Sequence, residues 1–124
     1  MKYFKTTEFA CKCGCGLLPT LEMMNLTNQI RDEWGKALNV TSGMRCKSHT
    51  LTLRLRGIPA ALGSEHLKGR AVDLAPVDMR DMKEFQDFCI KRLETWGVWM
   101  EDPFSTPMWV HLDFKKRPLR IFKP

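Results

Sequence analysis

The sequence predicts an α+β fold, and three observations predict it. Two segments repeat apolar residues at helical spacing, and several short segments alternate apolar with polar residues. Few connections have the length of the helix-bearing crossovers that a doubly wound parallel sheet requires. At 124 residues the chain has room for one modest core, so residues 1–124 are read as a single domain.

The elements follow in order along the chain. Residues 1–19 show little periodicity and end in Cys13-Gly14-Cys15-Gly16 and Pro19. From Thr20, the residues Met23, Leu26, Ile30, Trp34 and Ala37 or Leu38 recur at steps of three and four, which predicts a helix ending near Asn39. Val40-Thr41 reads as a short strand entering the Ser42-Gly43 turn. Leu51, Leu53 and Leu55 alternate with Thr52, Arg54 and Arg56, which suggests a strand or extended edge. Gly57, Pro59, Gly63 and Gly69 make most of the surrounding span a loop. Arg70–Ala75 alternates again, with Val72 and Leu74 pointing into a core. A second helix is expected over about 80–95, its stripe formed by Met82, Phe85, Phe88 or Cys89, Leu93 and Trp96, and closed by Gly97. Val98–Met100 and Trp109–Phe114 read as strands. The basic tail from Lys115 closes with Leu119-Arg120-Ile121-Phe122.

Composition narrows the function classes. Hydrophobic residues make up 44% and charged residues 27%, ordinary globular proportions that exclude wholesale disorder and a membrane protein. No stretch approaches the roughly 18 apolar residues of a bilayer span. The first residues contain no apolar signal core, so cytoplasmic synthesis without a secretory signal is expected. The net charge of +6 favours polyanionic surroundings: nucleic acid, anionic membrane or cell wall. Lys115, Lys116, Arg117, Arg120 and Lys123 concentrate that charge in the tail. A recognition helix and a glycine-rich phosphate cradle are both missing, and nucleic acid is not the expected partner.

The most informative feature is a polar residue set twice into an apolar alternating strand. Asp73 lies between Val72 and Leu74, and His111 lies between Val110 and Leu112. Neighbouring strands would bring the two within bonding distance on the face opposite the core. His66 precedes Asp73 by seven residues, with Gly69 between them to turn the chain. Two histidines and a carboxylate form a common zinc triad with one position left for water, although such residues are more often hydrogen-bonded or surface groups.

At these residues the chain resembles a known family. Ser64-Glu65-His66-Leu67-Lys68-Gly69-Arg70-Ala71-Val72-Asp73 is similar to the Ser-x-His-x-x-Gly-x-Ala-x-Asp signature of peptidase family M15. These are zinc D-Ala-D-Ala carboxypeptidases and L-alanyl-D-glutamate endopeptidases, many of them phage endolysins. Trp109-Val110-His111 resembles the family's Trp-x-His element, and Ser42-Gly43-Met44-Arg45 its Ser-Gly-x-Arg element. Phe9-Ala10-Cys11-Lys12-Cys13-Gly14-Cys15-Gly16 is similar to the opening of one small, single-domain branch.

The resemblance implies the zinc DD-peptidase (hedgehog-like) fold, with an antiparallel sheet and helices mainly on one face. It implies one catalytic Zn2+ held by His66, Asp73 and His111. It also implies Arg45 as the group that holds a substrate carboxylate or the developing oxyanion, and Ser64 as a brace for the His66 loop. The implied substrate is the peptidoglycan stem peptide, cut by an endopeptidase or DD-carboxypeptidase. A monomeric phage-type lysin that reaches the wall after release, without entering a membrane, fits best. Many members carry an acid three residues before the last histidine, where this chain has Met108. Glu101, Asp113 and Asp102 remain candidates for the general base. A site without one would make a catalytically weak or inactive zinc-containing wall-binding module. Trp109 is open to a place in the cleft wall or the core, and His49 reads as structural.

The five cysteines, Cys11, Cys13, Cys15, Cys46 and Cys89, are an odd number in a reducing compartment, which argues against a complete disulfide framework. Cys-x-Cys-x-Cys differs from the usual Cys-x-x-Cys knuckle, and three alternate cysteines in a strand could not easily meet one ion without a bend at Gly14. Reduced or partly buried thiols are therefore the leading expectation, with a structural metal or a disulfide as alternatives. Cys89 reads as core.

Overall fold

The computed structural model describes residues 2–58, 60–61 and 63–124; Pro59, one of the breakers named above, lies outside the described residues. A five-stranded sheet runs in the order β1-β2-β4-β3-β5, with β1 Leu38–Ser42, β2 Ala71–Pro76, β3 Trp99–Glu101, β4 Val110–Asp113 and β5 Ile121–Phe122. The α+β class is borne out. The sheet is mixed, however: β1, β2, β4 and β3 pair antiparallel, but β5 runs parallel to β3, with Met100 opposite Ile121 and Glu101 opposite Phe122. The final apolar residues thus form an edge strand that a two-residue pattern is too short to announce.

Helix α1, Leu21–Trp34, starts where Thr20 Oγ1 accepts from the Met23 N–H at 3.2 Å, the usual cap for an orphan donor. It buries Met23, Leu26, Thr27 and Ile30. The helix stops at Gly35 and not near Asn39, so Leu38 begins β1 instead of extending the helical stripe.

A larger departure lies in residues 47–55, where the sequence suggested a strand or loop and the structure forms helix α2, Lys47–Leu55. Cys46 caps it, its sulfur accepting from the His49 N–H at 3.3 Å. Only Thr50 of this helix is buried, and Leu55 is 89% exposed. The leucine alternation therefore records no buried face at all, which is why its period misled.

The second predicted helix is also divided. A 3-10 turn over Met79–Asp81 leads into α3, Met82–Ile90, and α4 follows at Leu93–Trp96. At the break, Arg92 Nη1 donates to the Phe88 carbonyl at 2.9 Å, and the Arg92 backbone N–H turns to Cys89 O at 2.9 Å. A side chain thus takes the acceptor that the next helical turn would have used.

The core forms where α1, α3 and α4 meet one face of the sheet, with Val72, Leu74, Val110, Leu112 and Met100 packed beside Met23, Ile30, Phe85, Cys89, Leu93 and Trp96. Trp34 stands edge-on to Phe85 and Phe88, each with ring centroids 5.1 Å away. Cross-strand partners share a face, and the registers Val72 with Leu112 and Leu74 with Val110 define the core side. The intervening residues, Asp73 with His111 and Ala71 with Asp113, must face the other way.

Candidate metal centre

Asp73 and His111 are direct cross-strand partners on β2 and β4, as the alternation predicted. His66 arrives from outside the sheet on a 3-10 turn, Glu65–Lys68, capped by Ser64, whose Oγ accepts from the His66 N–H at 3.2 Å. Ser64 is the brace expected of it. The metal-binding atoms of His66, Asp73 and His111 all lie within 4.8 Å of one another, and all three residues are buried.

Each imidazole is held by one nitrogen and offers the other. His66 Nδ1 lies 2.7 Å from the Gly43 carbonyl, which can only accept, so Nδ1 carries the proton. Its Nε2 is buried and has no hydrogen-bond partner among the described residues, although Asp73 Oδ1 is 3.2 Å away. A buried ring nitrogen this close to a carboxylate is unfavourable unless a proton or a metal cation lies between them. His111 shows the complementary arrangement: Nε2 is 2.7 Å from Asp113 Oδ2, and Nδ1 is 2.8 Å from Asp73 Oδ1. This donor set, two imidazole nitrogens around one carboxylate with the rings 5.2 Å apart, suits a divalent ion such as zinc.

The electrostatics match. Burial pushes the Asp73 carboxyl up, but the adjoining His111 and His66 rings outweigh burial and hold it well below the usual carboxylate range. Burial lowers His111, yet its bonds to Asp113 and Asp73 prevail and raise it to about 9. In the metal-free protein the ring thus carries both protons and bridges two carboxylates. A metal would take the place of the Nδ1 proton.

The glycine of the Ser-Gly-x-Arg element has a steric reason to be there. A Cβ on Gly43 would stand 2.4 Å from the Phe9 carbonyl oxygen, far inside contact distance, and the adjacent Met44 N–H donates to that oxygen at 2.8 Å. Phe9 is fully buried, so this contact pins the N-terminal loop against the segment that orients His66. Two residues on, the half-buried Arg45 donates its backbone N–H to His66 O at 3.2 Å.

The three carboxylates considered as bases occupy different surroundings. Glu101 ends β3, and the register of Trp99 with Asp113 and Met100 with Leu112 sets it on the His111 face. It is half-buried, and desolvation raises its carboxyl above the usual range, with Asp73 and Asp113 adding to the rise and His111 opposing it. Asp113 is 1% exposed and tied on both oxygens: Oδ2 to His111, and Arg117 Nη1 and Nη2 at 2.7 and 3.1 Å. Asp102 organises a turn, with Oδ1 accepting from the Phe104 N–H and its carbonyl from Ser105 and Thr106. Only Glu101 remains uncommitted to such bonds among these three.

Sequence reasoning missed Arg117. Beyond gripping Asp113, its guanidinium lies 3.5 Å over the Phe122 ring, and Phe122 stands edge-on to His111 at 6.0 Å. Arg120 likewise lies over Trp99 at 4.0 Å and donates to Val98 O at 2.8 Å. Within the tail, Arg117 fastens β5 to the site and Arg120 fastens it to β3 and the residue before it, so neither stands as free surface charge. A groove of about 580 Å³ opens there, lined by Asp102, Arg117, Leu119, Ile121 and Phe122 among others. Trp109 is partly buried against the core, Met108 is 59% exposed, and His49 lies in the first turn of α2. Among the described residues, no helix is long and apolar enough to cross a membrane.

A family model described as Peptidase M15 matches residues 2–113, most of the chain. No curated protein matches it.

Proposed function

The chain belongs to the peptidase M15 family of metallopeptidases, and from that membership and the site geometry we propose a zinc-dependent hydrolase that cuts a peptide bond of the peptidoglycan stem. The observation that carries the proposal is the buried His66 Nε2, which has no hydrogen-bond partner among the described residues and converges with His111 Nδ1 on Oδ1 of Asp73. When bound by these three residues, zinc supplies Lewis acidity toward a carbonyl and makes water a stronger acid.

The protein's own groups do the rest. Glu101 takes the proton from the attacking water and returns it to the departing amine nitrogen; its raised affinity for protons suits both halves of that transfer. Arg45, tied by its backbone to His66, holds a stem-peptide carboxylate or the oxygen on which negative charge grows. Asp113 keeps His111 in the tautomer that presents Nδ1, and Arg117 holds Asp113. The groove along Leu119, Ile121 and Phe122 receives the flank of the substrate beside His111. The excess positive charge suits an anionic wall, and a phage-type lysin acting after release is the biological role this chemistry fits.

Purified peptidoglycan incubated with the protein should release new amino groups, lose that release on chelation and regain it with added zinc. Mass spectrometry of the fragments identifies the bond. A second reading, a zinc module that binds the wall without cutting it, is favoured by Met108 at a position where many members place an acid. Co-sedimentation with the wall and no amino-group release would replace the first reading with the second.

A further inference from the structure

We propose that Cys11, Cys13, Cys15 and Cys46 form a second, structural metal centre: a tetrathiolate cage for Zn2+, separate from the histidine site and independent of the peptidase reading. Their sulfurs all lie within 4.8 Å of one another, with Cys11 and Cys13 at 3.4 Å and Cys13 and Cys46 at 3.5 Å. A tetrahedral zinc with Zn–S bonds of about 2.3 Å requires sulfurs about 3.8 Å apart, which this spacing brackets. A disulfide would need about 2.05 Å, and all of these cysteines are free thiols.

The bend that the Cys-x-Cys-x-Cys spacing needs is present. Gly14 and Gly16 have φ of +85° and +82°, left-handed conformations that glycine adopts without steric cost. Their turns are closed by the Gly14 N–H on Cys11 O at 3.2 Å and the Cys11 N–H on Leu17 O at 3.0 Å. Alternate cysteines that an extended strand would align in a row are folded around one point. The fourth sulfur comes from the cap of α2. Backbone N–H groups already point at two of the sulfurs: Cys46 N–H at Cys11 Sγ and His49 N–H at Cys46 Sγ, each 3.3 Å away. Such donors favour the thiolate that a metal requires.

Hydrophobic burial does not account for the gathering, because Cys13 and Cys15 are exposed. Cys89 shows what an ordinary core thiol looks like here: it is fully buried, and burial pushes its thiol well up. The binding step is balanced without redox chemistry. One Zn2+ forms four Zn–S bonds as four S–H bonds break, and four protons pass to solvent, leaving a dianionic centre. The cage would fasten the loop that follows Phe9 to the segment carrying Gly43, whose carbonyl holds His66. It thus braces the segment that orients His66.

The test is zinc stoichiometry by atomic emission on the full chain, purified under reducing conditions and dialysed. Two zinc ions per chain are expected in the wild type, one in His66→Ala/His111→Ala, and one in Cys13→Ser/Cys15→Ser. Replacing zinc with Co2+ in the histidine double variant should produce a sulfur-to-cobalt charge-transfer band. Should that variant fail to fold, the same band in the cobalt-loaded wild type, lost in the cysteine variant, decides the matter. One zinc in the wild type that the cysteine changes leave in place, or no charge-transfer band, overturns the cage. A coloured, iron-containing protein overturns its assignment to zinc. Two zinc ions in a protein that releases no amino groups from peptidoglycan would leave the cage standing and remove only the peptidase reading.

Discussion

Asp113 accepts from His111 Nε2 at 2.7 Å while Arg117 grips both of its oxygens, so one buried carboxylate dictates which imidazole nitrogen faces Asp73. Asp113→Asn keeps the shape but weakens that dictation, and it should lower zinc affinity at the histidine site by about 10- to 100-fold. Competition with a chromophoric chelator measures this directly. Arg117→Met, acting one step further away, should lower affinity less.

Glu101→Gln should reduce turnover by a factor on the order of 10² to 10⁴ while leaving the bound zinc unchanged. Amino-group release and metal content, measured on the same preparation, check both parts. An unimpaired rate would pass the proton-transfer role to another group.

The metal-free protein should lose stability as the pH rises from neutral. His111 titrates at about 9 when folded, above the ordinary histidine value of about 6.5. Its contribution is fully present below about 6.5 and disappears as the pH passes through about 9. Asp73 and Asp113 are shifted down, so their contributions are present above about 4 and fade as the pH falls further. Melting temperatures measured with chelator should therefore peak in mildly acidic buffer. With zinc bound, the alkaline decline should vanish, because Nδ1 then has no proton to lose.

Gly43→Ala should be strongly destabilising, because its new Cβ would lie 2.4 Å from a backbone oxygen that cannot swing aside. A loss of at least about 2 kcal/mol is expected, read from denaturant midpoints. Gly63→Ala, where an added Cβ meets nothing, is the matched control.

The meeting of Asp73 with His111 was legible because a strand has a strict period of two and both residues interrupt an apolar alternation. His66 was a candidate from its place seven residues before Asp73 with Gly69 between them, and its motif raised it to a ligand, since no periodicity brings a 3-10 turn to a sheet. The same period-two logic failed at Leu51, Leu53 and Leu55, where the helix is capped by a cysteine and buries a threonine. The bond from Arg117 to Asp113 is side chain to side chain, and nothing in a run of basic residues marks the one that turns inward. The cysteines stayed open between free thiols, a metal and a disulfide, because their gathering depends on the sign of φ at Gly14 and Gly16, which composition does not carry.

Strand β5 has a practical consequence for anyone choosing where to cut this chain. The stretch matched by its family stops at residue 113, yet the partner of β3 and the counter-charge of Asp113 both lie beyond that boundary. A fragment trimmed to 2–113 would bare the backbone of β3 as a sticky margin and leave a buried carboxylate with His111 as its one charged partner. Its poor solubility would then say more about the trimming than about the enzyme.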